Sequence, residues 1–231
     1  MTVLQIDGIC KQYKKKTALF PTSLYGRDGE CIVLCGGNGA GKSTILNILA
    51  GISSPTSGTV RLQDIELHKN RRRYVAEIGY MPDDFHAQQS MTVQEFLSFY
   101  AAFRKVGKER VQEVIALLGL EEKQSECLHR LSKGMRQRLL FGQAWLAKPK
   151  LLLLDEPTNG LDPYWVNEFV TLLKDIKRSG TIIVFSTHMM DVAADIGDVI
   201  LFMEDGKVTQ EIRDEGNTEN LILQLLQLHR K

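Results

Sequence analysis

The residues most suited to chemistry form one unbroken run, Gly36-Gly37-Asn38-Gly39-Ala40-Gly41-Lys42-Ser43-Thr44. The run fits the spacing G-x-x-x-x-G-K-[ST] without a mismatch. Glycines let a backbone close around phosphate oxygens, because no Cβ blocks left-handed dihedrals. The loop N–H groups and a helix N-terminus behind them then face an anion. In such a loop Lys42 reaches the β- and γ-phosphates and Ser43 offers its hydroxyl to Mg²⁺. A glycine turn that binds nothing is the alternative, and the flanks argue against it. Glu30 to Cys35 reads as a short buried strand. Thr44 to Ala50 is apolar at helical spacing and is closed by Gly51 as a C′ glycine.

A second group follows Leu151-Leu152-Leu153-Leu154. That apolar run would deliver Asp155 and Glu156 to the C-terminal end of a strand, where α/β sheets bind ligands. One carboxylate there can hold Mg²⁺, and its neighbour can orient and polarise an attacking water. A third feature is Ser132, read as the N-cap of a long helix that ends near Lys148-Pro149, so that its N-terminus is an anion site.

Strands and helices must position these groups. Val3 to Asp7 alternates as a strand, and Ser23-Leu24-Tyr25 is a second, with a turn over Gly26 to Gly29. Lys11 to Lys16 is basic and contains Tyr13. A turn over 53–58 leads to a strand at Thr59 to Leu62. Asn70 to Arg73 reads as a solvated helix start, and Ile78 onward as a strand ending at Pro82. Val93, Phe96, Leu97, Tyr100 and Ala101 follow a helical period, with Thr92 as N-cap and Glu95 three residues on. Val111, Val114, Ile115 and Leu118 repeat it, and Gly119 ends it. Asp162-Pro163 opens a further helix as N-cap and N1 proline. Leu151 to Leu154 and Thr181 to Phe185 lack alternation, as parallel strands buried on both faces do. Val199 to Ile212, broken at Asp205-Gly206, reads as a hairpin, and Asn217 to Lys231 as a last helix.

The chain has 231 residues, 43% of them hydrophobic, enough for one large domain or a core with an insert. Its 29 basic and 28 acidic side chains leave a net charge of +1, which gives no case for nucleic-acid binding. Cys10, Cys31, Cys35 and Cys127 form no C-x-x-C pair and have no histidine at metal spacing. Cys31 and Cys35 frame an apolar strand and read as small buried residues, which fits a reducing cytosol. The first residues hold no apolar signal core, and no segment approaches a membrane span.

These motifs, in this order, resemble those of the nucleotide-binding subunits of ATP-binding cassette (ABC) proteins over nearly the whole chain. Leu131-Ser132-x-Gly134 ahead of Leu154-Asp155-Glu156-Pro157-Thr158 is the discriminating pair. The resemblance implies an α/β fold of the P-loop NTPase class, a RecA-like core with a mainly parallel sheet. An N-terminal antiparallel β subdomain and an inserted helical subdomain would accompany it. Residues 1–88 and 146–231 would form the core and β subdomain, and 89–145 the helical signature subdomain. It implies that Tyr13 stacks on adenine and that residues Gly36 to Thr44 bind the phosphates of ATP. Ser43 and Asp155 would attend Mg²⁺, Glu156 would be the catalytic base, and His188 would contact the γ-phosphate. Ser132 and Gly134 would serve the γ-phosphate of an opposite subunit, and Asp162 would lie in the loop that crosses the dimer.

Two departures from the family pattern stand out. The signature reads L-S-K-G-M-R-Q-R rather than L-S-G-G-Q, a form that resembles subunits of bacterial exporters for drugs, peptides and polysaccharides. Asp83 occupies the position after Pro82 that is usually glutamine or glutamate and senses Mg²⁺. Aspartate is one methylene shorter than glutamate and cannot donate like glutamine. The implied function is the ATPase of a transporter, a homodimer or heterodimer sandwiching two ATP. It would drive a separately encoded permease from the inner face of the membrane. Phe85 and Phe99 are candidate permease contacts, while Phe96 and Tyr100 lie on the core stripe. A non-transport ABC ATPase, an assembly or regulatory factor, is the alternative.

Overall fold

The computed structural model describes residues 3–14, 16–84 and 87–213. The elements run β1 (Val3–Tyr13), β2 (Lys16–Arg27), β3 (Cys31–Cys35), α1 (Lys42–Leu49), β4 (Ser57–Leu62) and β5 (Ile65–Glu66). They continue α2 (Arg71–Ala76), β6 (Ile78–Met81), α3 (Val93–Arg104), α4 (Lys108–Leu117), α5 (Lys133–Trp145) and β7 (Leu151–Leu154). The last are α6 (Pro163–Arg178), β8 (Ile182–Thr187), α7 (Met190–Ile196), β9 (Val199–Glu204) and β10 (Lys207–Arg213).

Two sheets result. Strands β2-β1-β4-β5 form an antiparallel sheet, and β10-β9-β3-β8-β7-β6 a second one that is parallel except for β10. The α/β architecture, with an antiparallel N-terminal sheet and a largely parallel core, is the one expected. Phe20 N–H donates to the Gly206 carbonyl at 2.8 Å and joins the two sheets.

The first hairpin is longer than expected. β1 runs on past Asp7 to Tyr13, and β2 starts already at Lys16 and continues through Gly26 and Arg27, which were expected in the turn. Leu4 and Ile6 are buried, but the next buried apolar residue is Ile9, because the pairing shifts there and Gly8 takes φ 55°. A bulge breaks the period of two, and the basic outer face hides the remainder. α7 was also not expected. Its seven residues are too short for a readable helical period. The helix expected over 217–231 lies outside the described residues, as does Phe85.

β3 organises the interior. Its alternate residues enter different cores. Cys31, Val33 and Cys35 face the cluster that includes α3, α4, α5 and α6, while Ile32 and Leu34 face the one built on the antiparallel sheet and α1. Burial pushes the Cys35 thiol up to about 12, as expected of an inert packing residue. Along α3, Phe96 and Leu97 are buried, whereas Phe99 and Phe103 are 52% and 73% exposed.

Candidate functional site

The C-terminal ends of β3, β8 and β7 lie side by side, so the loops that leave them converge. From β3 the chain turns through Gly36, at φ 151°, where a Cβ would stand 2.3 Å from the Met203 carbonyl oxygen. It reaches α1 through Gly41 at φ 103°, an N-cap without a side chain to bond the first helical N–H groups. Those donors are left for a ligand. The loop bounds a cleft of about 460 Å³, lined by Gly37 to Thr44, Lys16 to Ala18 of β2, Asp83, Glu156, Asp205 and Gly206.

Lys42 is 7% exposed. Its Nζ donates to the carbonyls of Gly36 at 2.6 Å and Gly37 at 3.2 Å, and lies 3.5 Å from Glu156 Oε1. Glu156 Oε2 is 2.9 Å from His188 Nδ1, which fixes that nitrogen as the donor to a carboxylate. Loop lysine, strand-end glutamate and histidine thus form one row, joined by an ion pair and a hydrogen bond. The Glu156 backbone is in the left-handed region at φ 47°, a conformation that costs a non-glycine residue about 1 kcal/mol or more. Its N–H donates to Ser186 Oγ at 2.9 Å, and its carbonyl accepts from Gln137 Nε2 at 3.0 Å.

Asp155 is buried. Ser186 Oγ donates to its Oδ1 at 2.6 Å, and the Ser43 hydroxyl bonds to the same carboxyl. Burial pushes the Asp155 pKa above the ordinary carboxylate value. The two hydroxyls partly offset this, and the charges of Asp83 and Glu156 add to the rise. A desolvated carboxylate beside a hydroxyl and two further carboxylates is an all-oxygen donor set, which suits a hard divalent cation such as Mg²⁺. Among the described residues no group of three or more His, Cys, Asp or Glu forms a metal cage, so such a cation would complete its shell with phosphate oxygens and water. Asp83 Oδ1 accepts from Asn159 Nδ2 at 3.1 Å at the edge of the cleft.

Ser132, Gly134 and Asp162 are elsewhere. They line a smaller cleft of about 210 Å³, together with Arg138, Gly160 and Trp165, that shares no residue with the first. Ser132 caps α5 by accepting from Met135 N–H at 3.2 Å, and Asp162 caps α6 by accepting from Trp165 N–H at 2.9 Å. A Cβ on Gly134 would meet the Gly160 carbonyl oxygen at 2.9 Å, so the two segments touch through glycines. Tyr13 is 53% exposed under Lys11 Nζ, 4.9 Å from its ring centroid. It is not among the described residues that line the phosphate cleft, but it pairs across the hairpin with Lys16, which is.

Sequence reading missed Ser186, Gln137 and Asn159. Each reaches the site from 30, 19 and 76 residues away from its partner, and each type is common in ordinary helices and loops. The pattern of positions 182–187, a strand ending in hydroxyl residues beside Asp155, is the one signal that pointed to Ser186.

The family model described as "ABC transporter" matches residues 19–159. The chain is 36% identical over 225 residues to the uncharacterised ABC transporter ATP-binding protein YxlF of Bacillus subtilis, covering 94% of this chain and 74% of that one. It is 32% identical to the bacitracin transport ATP-binding protein BcrA of Enterococcus faecalis, covering 91% of this chain and 69% of that one. It is also 32% identical to the lantibiotic transport ATP-binding protein SrtF of Streptococcus pyogenes, covering 95% of this chain and 94% of that one. Among solved structures, the bacterial ABC transporter cassette MJ0796 in dimeric form has a TM-score of 0.86 at 27% identity, covering 93% of this chain and all (100%) of that one. The same cassette in a post-hydrolysis state bound to ADP and Pi superposes equally well, with a TM-score of 0.86.

Proposed function

The chain belongs to the ABC transporter family, with ATP-binding proteins of bacitracin and lantibiotic transport among its relatives, and from that premise we propose that it hydrolyses ATP as one half of a dimer and drives a separate membrane permease. The observation that carries the proposal is the division of the machinery between two clefts with no residue in common. One holds a phosphate loop, a lysine and a carboxylate base. The other holds a helix N-terminus capped by Ser132. A γ-phosphate needs both, and two copies related head to tail supply both twice.

In this reading the phosphates of ATP take the loop N–H groups of Gly37 to Thr44 and draw Lys42 Nζ from the carbonyls of Gly36 and Gly37. Glu156 accepts a proton from the attacking water, and His188, held through Nδ1, presents its other nitrogen to the γ-phosphate. Ser43 and Asp155 would hold Mg²⁺, which supplies charge neutralisation to the phosphates when bound. Tyr13 would meet the adenine, while Ser132, Gly134 and Asp162 meet the nucleotide of the opposite chain. The helical stretch within 89–145 acts as the subdomain that carries the signature.

No helix among the described residues is long and apolar enough to cross a membrane. The proposed reading gives the membrane-spanning part to a separate permease and this subunit a peripheral position on the inner face. The exposed Phe99 and Phe103 of α3, edge to face with ring centroids 4.9 Å apart, offer it an aromatic contact. Bacitracin and lantibiotic transport by relatives supports export as the direction.

Two experiments test this. Chains with Lys42→Ala and chains with Ser132→Arg should each be nearly inactive, and their mixture should recover a fraction of the wild-type ATPase rate through one intact composite site. A mixture as dead as its parts would refute the shared site. Pull-down from detergent-solubilised membranes at native expression should bring down a stoichiometric multi-span partner. Soluble partners alone would sink the transport claim and leave the non-transport ATPase reading in its place.

A further inference from the structure

Glu156 is the residue whose backbone is hardest to explain locally, since nothing in a Glu-Pro-Thr sequence favours φ 47°. Three hydrogen bonds hold it. Ser186 Oγ accepts from its N–H, Asn159 N–H donates to its carbonyl at 3.1 Å, and Gln137 Nε2 donates to the same carbonyl at 3.0 Å. The first two come from the adjacent strand and the turn itself. Gln137 comes from α5, five positions beyond Ser132, and only 5% of it is exposed. The first turn of α5 also lies against the far end of this turn. A Cβ on Gly134 would stand 2.9 Å from the Gly160 oxygen, and one on Gly160 would stand 2.7 Å from Lys133 Cδ.

We propose that Gln137 is a positioning residue that ties the signature end of α5 to the base of the same chain's own phosphate cleft. It holds the Glu156 peptide in the conformation from which the carboxylate reaches His188 and Lys42. A ligand that fixes the N-terminus of α5 therefore sets Glu156 through a donor little more than one turn along the helix. In a head-to-tail dimer each chain would report the nucleotide at its signature to the base in its other cleft, and the two sites would fire cooperatively. This rests on the ATPase reading above.

The test is Gln137→Met, which keeps the length and apolar bulk of the side chain and removes the donor. Steady-state ATPase should show kcat reduced about tenfold with KM for ATP within about twofold of wild type, the pattern of a lost transition-state interaction. The Hill coefficient in ATP should fall towards one. In a Glu156→Gln background the same change should leave the residual rate unaltered, because Gln137 acts only through Glu156. Gln137→Leu, apolar and without a donor, should repeat the kcat-only loss and serves if Gln137→Met melts early. Binding of a fluorescent ATP analogue should be unchanged in both. An active wild type with unchanged kcat in both variants, a raised KM alone, or full additivity with Glu156→Gln overturns the assignment of Gln137 and spares the ATPase reading. A wild type that binds but never hydrolyses ATP, with or without its membrane partner, overturns both.

Discussion

At the scale of single residues, Asp155 and Glu156 are neighbours with opposite surroundings. Glu156 faces the cleft and a lysine, whereas Asp155 is buried among acidic groups with a raised pKa. A carboxyl that holds its proton more tightly when folded than when unfolded costs stability in its ionised form. The folded state therefore gains relative stability as pH falls through the raised value. Asp155→Asn should thus raise the thermal midpoint near neutral pH, with the gain shrinking in mild acid, when nucleotide and Mg²⁺ are withheld. Calorimetry at the two pH values checks this, and the same variant should lose Mg²⁺-dependent hydrolysis. Glu156→Gln removes the proposed general base while keeping its shape and should lower kcat by about 10²–10⁴-fold with ATP binding retained. Asp83 adds negative charge beside Asp155 and is held by Asn159. Asp83→Gln removes one of the negative charges that attract a cation here and should raise the Mg²⁺ concentration at half-maximal ATPase rate. A titration that superposes on wild type would show that the shorter acid has no such influence.

At the scale of elements, α5 is the piece that the rest must fit. A Cβ on Gly79 of β6 would stand 2.1 Å from the Ala144 carbonyl oxygen, and one on Gly142 would stand 2.5 Å from Leu118 Cδ1. The helix backbone therefore rests on the sheet with no room for a methyl group. Gly79→Ala should destabilise the fold by about 1–3 kcal/mol through overpacking alone, read from the shift of a urea midpoint. Elements whose signals are local were legible in the sequence. Thr92 and Glu95 form the capping box, Asp162 and Pro163 open α6, and Gly51 closes α1 at φ 70°. The phosphate loop and the Asp155-Glu156 pair were legible for the same reason, as each is a short pattern with its own flanks. What was hidden depends on long-range contact. Gly79 shows no sign of α5, Gln137 shows no sign of Glu156, and the bulge at Gly8 erased the alternation that would have revealed the full length of β1.

For the whole molecule, the two clefts share no residue, so in the proposed head-to-tail reading a single chain is an incomplete ATPase. Glu156→Gln protein with Mg²⁺ and ATP should sediment as a dimer, and adding Ser132→Arg should return it to monomer. A monomer under both conditions would argue against the head-to-tail arrangement. The division of the interior has a different result. Because β3 sends Cys31, Val33 and Cys35 into one core and Ile32 and Leu34 into the other, neither core can seat that strand without its counterpart. The loop from Gly36 to Lys42 leaves the end of β3, so it takes shape only in a chain whose two halves have both been assembled. Retention on an immobilised nucleotide therefore reports on both halves at once: a chain with either half misassembled passes through the column, whichever half is at fault.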